Sequence, residues 1–210
     1  ERVVGELDTL VNRYGIRNIK IPDEMFALNR EHVGRLCDLI ADRGYDLNIW
    51  AYARINTVDA DMITRMARAG IRWLAYGIES GSQEVLEASA KGYDPDEVDE
   101  VVRMTRDAGI HIVGNYIFGL PDDDMDSMKA TFELALRVNA EWANFYTAMA
   151  LPGSALYRQA LEEGWALPDT WEGYSQYGYE TLPLPTRRLT AGEVLRFRDE
   201  AFHAYYANPA

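Results

Sequence analysis

Trp73-Leu74-Ala75-Tyr76-Gly77-Ile78-Glu79-Ser80-Gly81-Ser82 is an apolar run that ends on an acid set between two glycines. A stretch of this length, rich in aromatic residues and bounded by glycine and serine, reads as a buried strand. Its exit places a charge where the chain must turn. Four similar runs flank it: Ile19 to Ile21, Leu47 to Ala53, Ile110 to Phe118 and Trp142 to Met149. Between the runs apolar residues recur at three-and-four spacing, as in Val33, Leu36, Cys37, Leu39 and Ile40, or Val98, Val101, Val102 and Met104. That spacing predicts amphipathic helices. Asn29 and Asp59 stand where helices should start, Asp94-Pro95 sets a capping acid before a first-turn proline, and Thr190 with Glu193 forms a capping box. Gly44, Gly70 and Gly109 each fall just before a strand, where a helix stops in a left-handed turn. Parallel strands need helical crossovers, so the alternation predicts an α/β fold with a parallel sheet covered by helices.

The 210 residues suffice for one substantial core. Charges sum to −13 from 21 basic and 34 acidic residues, spread along the chain. Nucleic acid and anionic membrane surfaces select clustered Lys and Arg, so neither is an expected partner. No apolar stretch approaches the length that spans a bilayer, and the first residues lack the order of a signal peptide. The expectation is a soluble, cytoplasmic protein. Cys37 is the single cysteine, which excludes an internal disulfide and any site built from several thiolates of this chain; on the apolar face of a helix it reads as a core residue. The chain opens on Glu1 rather than Met and proceeds at once as a helix over residues 2 to 13, with Val3, Val4, Leu7, Leu10 and Val11 at helical spacing. This reads as a fragment whose preceding strand is missing. Two segments are expected, 1–164 carrying the strand and helix alternation and 165–210 carrying an aromatic-rich loop, Trp165 to Pro185, and a helix over about 190 to 206 that packs on the first segment.

In parallel α/β folds chemistry gathers at the carboxyl ends of the strands. The exits here are Pro22-Asp23-Glu24, Arg54-Ile55-Asn56, Glu79-Ser80-Gly81-Ser82, Gly119-Leu120-Pro121 and Leu151-Pro152-Gly153-Ser154. Charges of both signs at three of them suit a small zwitterion, with carboxylates taking its ammonium and hydroxyls and Arg54 its carboxylate. A lone acid after a strand also serves as an ordinary helix cap, and both readings stand for Asp23 and Ser80. Among strand residues, Tyr52, Asn115 and Tyr146 are candidates to line a substrate cavity, Asn115 foremost because an amide inside an apolar strand needs a partner; core packing is the alternative for the tyrosines. His32, His111 and His203 show no metal-ligand spacing. Asp122-Asp123-Asp124 reads as a cap for the next helix rather than as a metal site.

Taken in order, the exits resemble the radical S-adenosylmethionine (SAM) enzymes, in particular the group with a cobalamin-binding domain ahead of the barrel. The residues that carry the resemblance are Ile19-Lys20-Ile21-Pro22-Asp23-Glu24-Met25-Phe26, Trp50-Ala51-Tyr52-Ala53-Arg54, Gly77-Ile78-Glu79-Ser80-Gly81-Ser82, Ile117-Phe118-Gly119-Leu120-Pro121 and Leu151-Pro152-Gly153-Ser154-Ala155-Leu156-Tyr157. The resemblance implies a partial TIM-like (β/α) barrel of six strands, of which this chain holds the second to the sixth, the first strand and its cysteine loop lying outside it. It implies SAM as cofactor, bound to a [4Fe-4S] cluster whose cysteine ligands lie upstream and cleaved reductively to a 5′-deoxyadenosyl radical. By carry-over, Asp23 and Glu24 fall in the segment that contacts the SAM amine, Arg54 meets the carboxylate or ribose, Glu79 and Ser80 meet the ribose hydroxyls, and Gly119, Leu120 and Pro121 form the adenine side. The subgroup points to cobalamin as a further cofactor, to an upstream cobalamin-binding domain, and to methyl transfer onto an unactivated carbon of a small-molecule substrate, with the fragment alone inactive. The alternatives are a radical SAM cyclisation, rearrangement or oxidation, and a non-catalytic α/β binding module. An open Rossmann-type sheet is the architectural alternative, but no G-x-G-x-x-G opens a helix after an early strand.

Overall fold

The computed structural model describes residues 1–89 and 92–208. In chain order the elements are α1 (Arg2–Tyr14), β1 (Asn18–Lys20), α2 (Arg30–Ala41), β2 (Asn48–Arg54), α3 (Ala60–Arg68), β3 (Ile71–Glu79), α4 (Gln83–Ala88), α5 (Glu97–Asp107), β4 (His111–Phe118), α6 (Met125–Val138), β5 (Trp142–Thr147), α7 (Ala155–Glu162) and α8 (Ala191–Ala207). The strands form one sheet in the order β1-β2-β3-β4-β5. β1 runs parallel to β2, with Lys20 beside Trp50, and β2 parallel to β3, with Tyr52 beside Ala75 and Arg54 beside Gly77. Each apolar run expected as a strand is one, within two residues at its ends.

The helix boundaries follow from local chemistry. Asn29 accepts the His32 N–H and Asp59 the Met62 N–H, each satisfying a first-turn donor. Thr190 and Glu193 form the expected reciprocal box at α8. α5 begins at Glu97, so Pro95 lies in the turn before it, and Asp96 already has helical dihedrals. Gly15 and Gly109 end α1 and α5 at φ 68° and 74°, the left-handed region that costs a side-chain-bearing residue about 1–2 kcal/mol.

By its internal contacts the chain divides into two compact units. The first comprises Glu1–Ile78, Asp96–Gly114 and Ala140–Trp142. In β2, Ile49, Ala51 and Ala53 are buried while Trp50, Tyr52 and Arg54 on the opposite face are half-buried, a period-two pattern. The fully buried Val33, Ile63 and Met66 of α2 and α3 belong to the same core. Across α2 and α3 the Arg65 guanidinium binds the Asp38 carboxylate at 2.5 Å, and it lies so close to Gly34 that a Cβ there would sit 2.3 Å from its Nη1.

The second unit comprises Glu79–Pro95, Asn115–Asn139 and Ala143–Ala210. Residues 165–210 fall in this unit together with the exit of β3, the end of β4 and most of β5. Its core is aromatic: the Phe145 ring lies 5.4 Å from Tyr116, 5.7 Å from Phe118 and 5.5 Å from Tyr205, and Phe118 meets Phe197 of α8 edge-on at 5.0 Å. The segment from Trp165 to Pro185 carries a single short 3₁₀ turn, Trp171–Tyr174, and is otherwise irregular. Its Gln176 side chain pairs with β5 as a strand would: the Thr147 N–H donates to Oε1 at 3.1 Å and Nε2 donates to the Thr147 carbonyl at 3.0 Å. Four residues earlier the Tyr206 hydroxyl plays the same part, accepting the Ala143 N–H at 3.0 Å and donating to its carbonyl at 2.8 Å.

Candidate functional site

In the first unit, two strand exits contribute. After β1 the chain turns at Asp23, whose Oδ1 accepts the Met25 N–H at 2.9 Å and whose carbonyl accepts the Phe26 N–H. This leaves one carboxylate oxygen outside the turn, and both Asp23 and Glu24 are exposed. After β2, the Arg54 N–H donates to the Thr57 hydroxyl, which donates back to the Arg54 carbonyl, fixing the backbone from which the half-buried guanidinium projects. Glu24 and Arg54 line one crevice together with Met25, Ala27, Leu28, Ala53 and Thr57. An acid and an arginine from separate exits thus border the same narrow crevice. Tyr52 lies on the half-buried face of β2, edge-on to Trp50 at 4.6 Å, and the Lys20 ammonium sits 4.1 Å over the Trp50 ring and 5.7 Å from the Tyr52 ring.

The second unit begins with the acid that closed the opening stretch. Glu79 has φ 64°, a conformation that a residue with a long side chain seldom adopts. Hydrogen bonds further along the same turn hold it there. The Thr131 hydroxyl of α6 accepts the Gly81 N–H at 2.9 Å and lies 3.1 Å from the Ser80 hydroxyl, which in turn accepts the Ser82 N–H. Gly81 presses so closely on α6 that a Cβ would sit 2.5 Å from the Ala130 carbonyl oxygen, so only glycine fits without movement. Ser80 is fully buried with its hydroxyl engaged inside the turn. Backbone strain of this kind persists only where the surrounding structure over-determines it.

The exit of β4 is built on a buried carboxylate. Asp123 is 1% exposed; its Oδ2 accepts the Gly119 N–H at 3.0 Å and the Leu120 N–H at 2.9 Å, and its Oδ1 accepts the Ser127 hydroxyl at 2.5 Å. Burial pushes its pKa up to about 6 despite these donors. Of the three consecutive acids, Asp124 is the helix cap, accepting the Asp126 and Ser127 N–H groups at the start of α6, and Asp122 pairs with Arg187. Gly119 has φ 81°, and a Cβ there would meet Val194 Cγ1 at 2.5 Å. Pro121 is tied from the other side, its carbonyl accepting the Arg187 N–H at 3.0 Å. Asn115 accepts a hydrogen bond from Asn144 Nδ2 at 2.9 Å, so its partner comes from β5, and Tyr146 faces Tyr177 with ring centroids 6.4 Å apart.

Sequence reasoning missed Thr131, Gln176 and the part played by Asp123. Thr131 stood in the text as a hydroxyl on an otherwise apolar face with Met128, Leu134, Ala135 and Val138. Cys37 is buried, and burial pushes its thiol up to about 12. Among the described residues no three His, Cys, Asp or Glu side chains converge as a metal site, and no helix is long and apolar enough to cross a membrane.

The sequence is 28% identical to an uncharacterized methyltransferase of Pyrococcus horikoshii over 209 residues, covering all of this chain and 45% of the relative. It is 24% identical to the anaerobic magnesium-protoporphyrin IX monomethyl ester cyclase of Cereibacter sphaeroides, covering all of this chain and 34% of that enzyme. Among solved structures it resembles the radical S-adenosylmethionine methyltransferase TsrM of Kitasatospora setae, with cobalamin and a [4Fe-4S] cluster bound, at a TM-score of 0.70 and 23% identity over 77% of this chain and 33% of that one. That likeness is one of fold, the partial (β/α) barrel of radical SAM enzymes. The chain spans less than half the length of these relatives. The model of the radical SAM superfamily matches residues 1–135, and with the strand exits described above this makes the chain a member of the radical SAM superfamily.

Proposed function

We propose that this chain forms the SAM-holding part of a radical SAM enzyme that uses cobalamin to methylate an unactivated carbon of a small molecule. The observation that carries the reading is Glu79, a strained acid at a strand exit whose turn is locked to α6. Asp23 and Glu24 would hold the amine of SAM, Arg54 its carboxylate or ribose, Glu79 the ribose hydroxyls, and Gly119, Leu120 and Pro121 the adenine side, while Ser80 enters as the residue that fixes the turn presenting Glu79. Bound SAM supplies a 5′-deoxyadenosyl radical or a methyl group. The protein's own contribution is to bind and orient it: an ionised carboxylate accepts from paired hydroxyls, and a guanidinium fork fixes a carboxylate in one plane. Tyr52, Asn115 and Tyr146 are proposed to face the substrate.

Residues 1–210 cannot supply the set of iron–sulfur ligands by themselves, since they contain one cysteine and it is buried. We place the cluster cysteines and the cobalamin-binding domain in sequence outside residues 1–210, and the reading supposes a protein of the length of its relatives. Cyclisation is the alternative favoured by the cyclase among those relatives.

The test uses the full-length protein, reconstituted without oxygen, reduced with dithionite and given SAM. Both 5′-deoxyadenosine and S-adenosylhomocysteine are expected; deoxyadenosine alone would mean a radical reaction other than methylation, and failure to assemble a cluster would favour a binding module. In the same protein Glu79→Ala is expected to weaken SAM binding by about 1–3 kcal/mol, the cost of losing a buried hydrogen-bonding partner. An unchanged dissociation constant by calorimetry would remove Glu79 from the site.

A further inference from the structure

The turn after β4 is shaped by one side chain. Gly119 and Leu120 turn both of their N–H groups onto a single oxygen of Asp123, and the other oxygen receives the Ser127 hydroxyl. Three donors converge on a carboxylate that solvent does not reach. Without such an acceptor the buried Gly119 N–H and the part-buried Leu120 N–H would lose their shared partner, so the acceptor stabilises this form of the turn. Its other boundaries are equally fixed: Val194 of α8 stands where a side chain on Gly119 would go, and the Arg187 backbone holds the Pro121 carbonyl. Leu120 and Pro121 themselves stay half-buried and are not consumed by these bonds.

We propose that Asp123 is the positioning residue of this turn, setting through its three hydrogen bonds the shape in which Gly119-Leu120-Pro121 meets the adenine end of SAM. The proposal rests on the SAM-binding reading above. Asp123 touches no ligand in it; it acts through the backbone it holds. The role is one of geometry, and the charge itself is dispensable. An asparagine could offer its carbonyl oxygen to the Gly119 and Leu120 N–H groups and its amide to the Ser127 hydroxyl, which has the Asp124 carbonyl at 3.1 Å as an alternative acceptor. The other charged groups around the turn are already paired, Asp122 with Arg187, Arg187 with Glu163, and Asp124 with Arg188, so the neutral variant should leave them in place.

The experiment measures SAM affinity by calorimetry on the full-length, cluster-reconstituted protein as wild type, Asp123→Ala and Asp123→Asn, with the melting temperature of each. The expected result is about tenfold weaker binding for Asp123→Ala, the effect of one or two lost hydrogen bonds, and wild-type affinity for Asp123→Asn. If Asp123→Ala does not fold, Asp123→Glu replaces it, since the added methylene displaces the same acceptor oxygens. Wild-type affinity in the alanine or glutamate variant would overturn the positioning role. Equal weakening in Asp123→Asn would also overturn it, by showing that the charge is what SAM reads. Should the wild type itself not bind SAM, the reading beneath the proposal fails and the proposal with it.

Discussion

At Asp123 the side chain that orders a turn also works against the folded state as pH rises. Its folded pKa of about 6 lies above its ordinary value of 3.8 because burial penalises the ionised form. For an acid raised in this way the native state binds the proton more tightly than the unfolded chain does. The stabilisation is complete below pH 3.8 and is lost as pH climbs through about 6. Asp123→Asn does not titrate, so its stability relative to wild type should rise between pH 4 and 7, by about 2–3 kcal/mol at about 1.4 kcal/mol per unit. Urea denaturation of both proteins at pH 4, 5, 6 and 7 reads this directly. A constant difference would mean that Asp123 titrates as it would in water. Glu79 shows how far single residues were legible: an acid between Gly77 and Gly81 marked a special turn in the text, but its left-handed backbone did not show, because left-handed turns ordinarily announce themselves with glycine or asparagine. Asp123 was hidden for a different reason. Next to Asp124, which does cap α6, it read as one more capping acid, and only burial separates the two.

The elements themselves were well marked. Five apolar runs, the asparagine and aspartate caps at Asn29 and Asp59, and the glycines before the strands are all local signals, and local chemistry decided those boundaries. What the text did not show was how the last strand ends its sheet. An unpaired strand edge is a template for another strand, and proteins commonly block it. Here Gln176 and Tyr206 do so at Thr147 and Ala143, each supplying one donor and one acceptor to one residue. Neither signal is local, as Gln176 lies 29 residues and Tyr206 63 residues from its partner. Gln176→Ala combined with Tyr206→Phe should free both positions, lowering stability by about 1–3 kcal/mol through unpaired backbone groups. The same double variant should self-associate more than the wild type, seen as a steeper rise of light scattering with concentration. Scattering unchanged from the wild type would mean that other residues guard the edge.

Taken over all 210 residues, the charge of −13 makes an expectation that no single residue carries. At pH 7.4 residues 1–210 should contribute no affinity for heparin or anionic vesicles and should favour an anion exchanger, because polyanions select clustered cations. Retention on heparin at physiological salt would reveal a basic patch that the composition conceals. The family was legible because five short exits come in a fixed order, each weak alone. The site was legible only in part, since ligand-facing acids and turn-holding acids look alike until their neighbours are known. Cys37 has a practical consequence of its own. Buried, with a thiol that stays protonated to about pH 12, it is silent toward maleimides and iodoacetamide in the native state. This stretch of the protein therefore behaves as cysteine-free, and one cysteine placed on its surface would accept a spin label or fluorophore at a single known position.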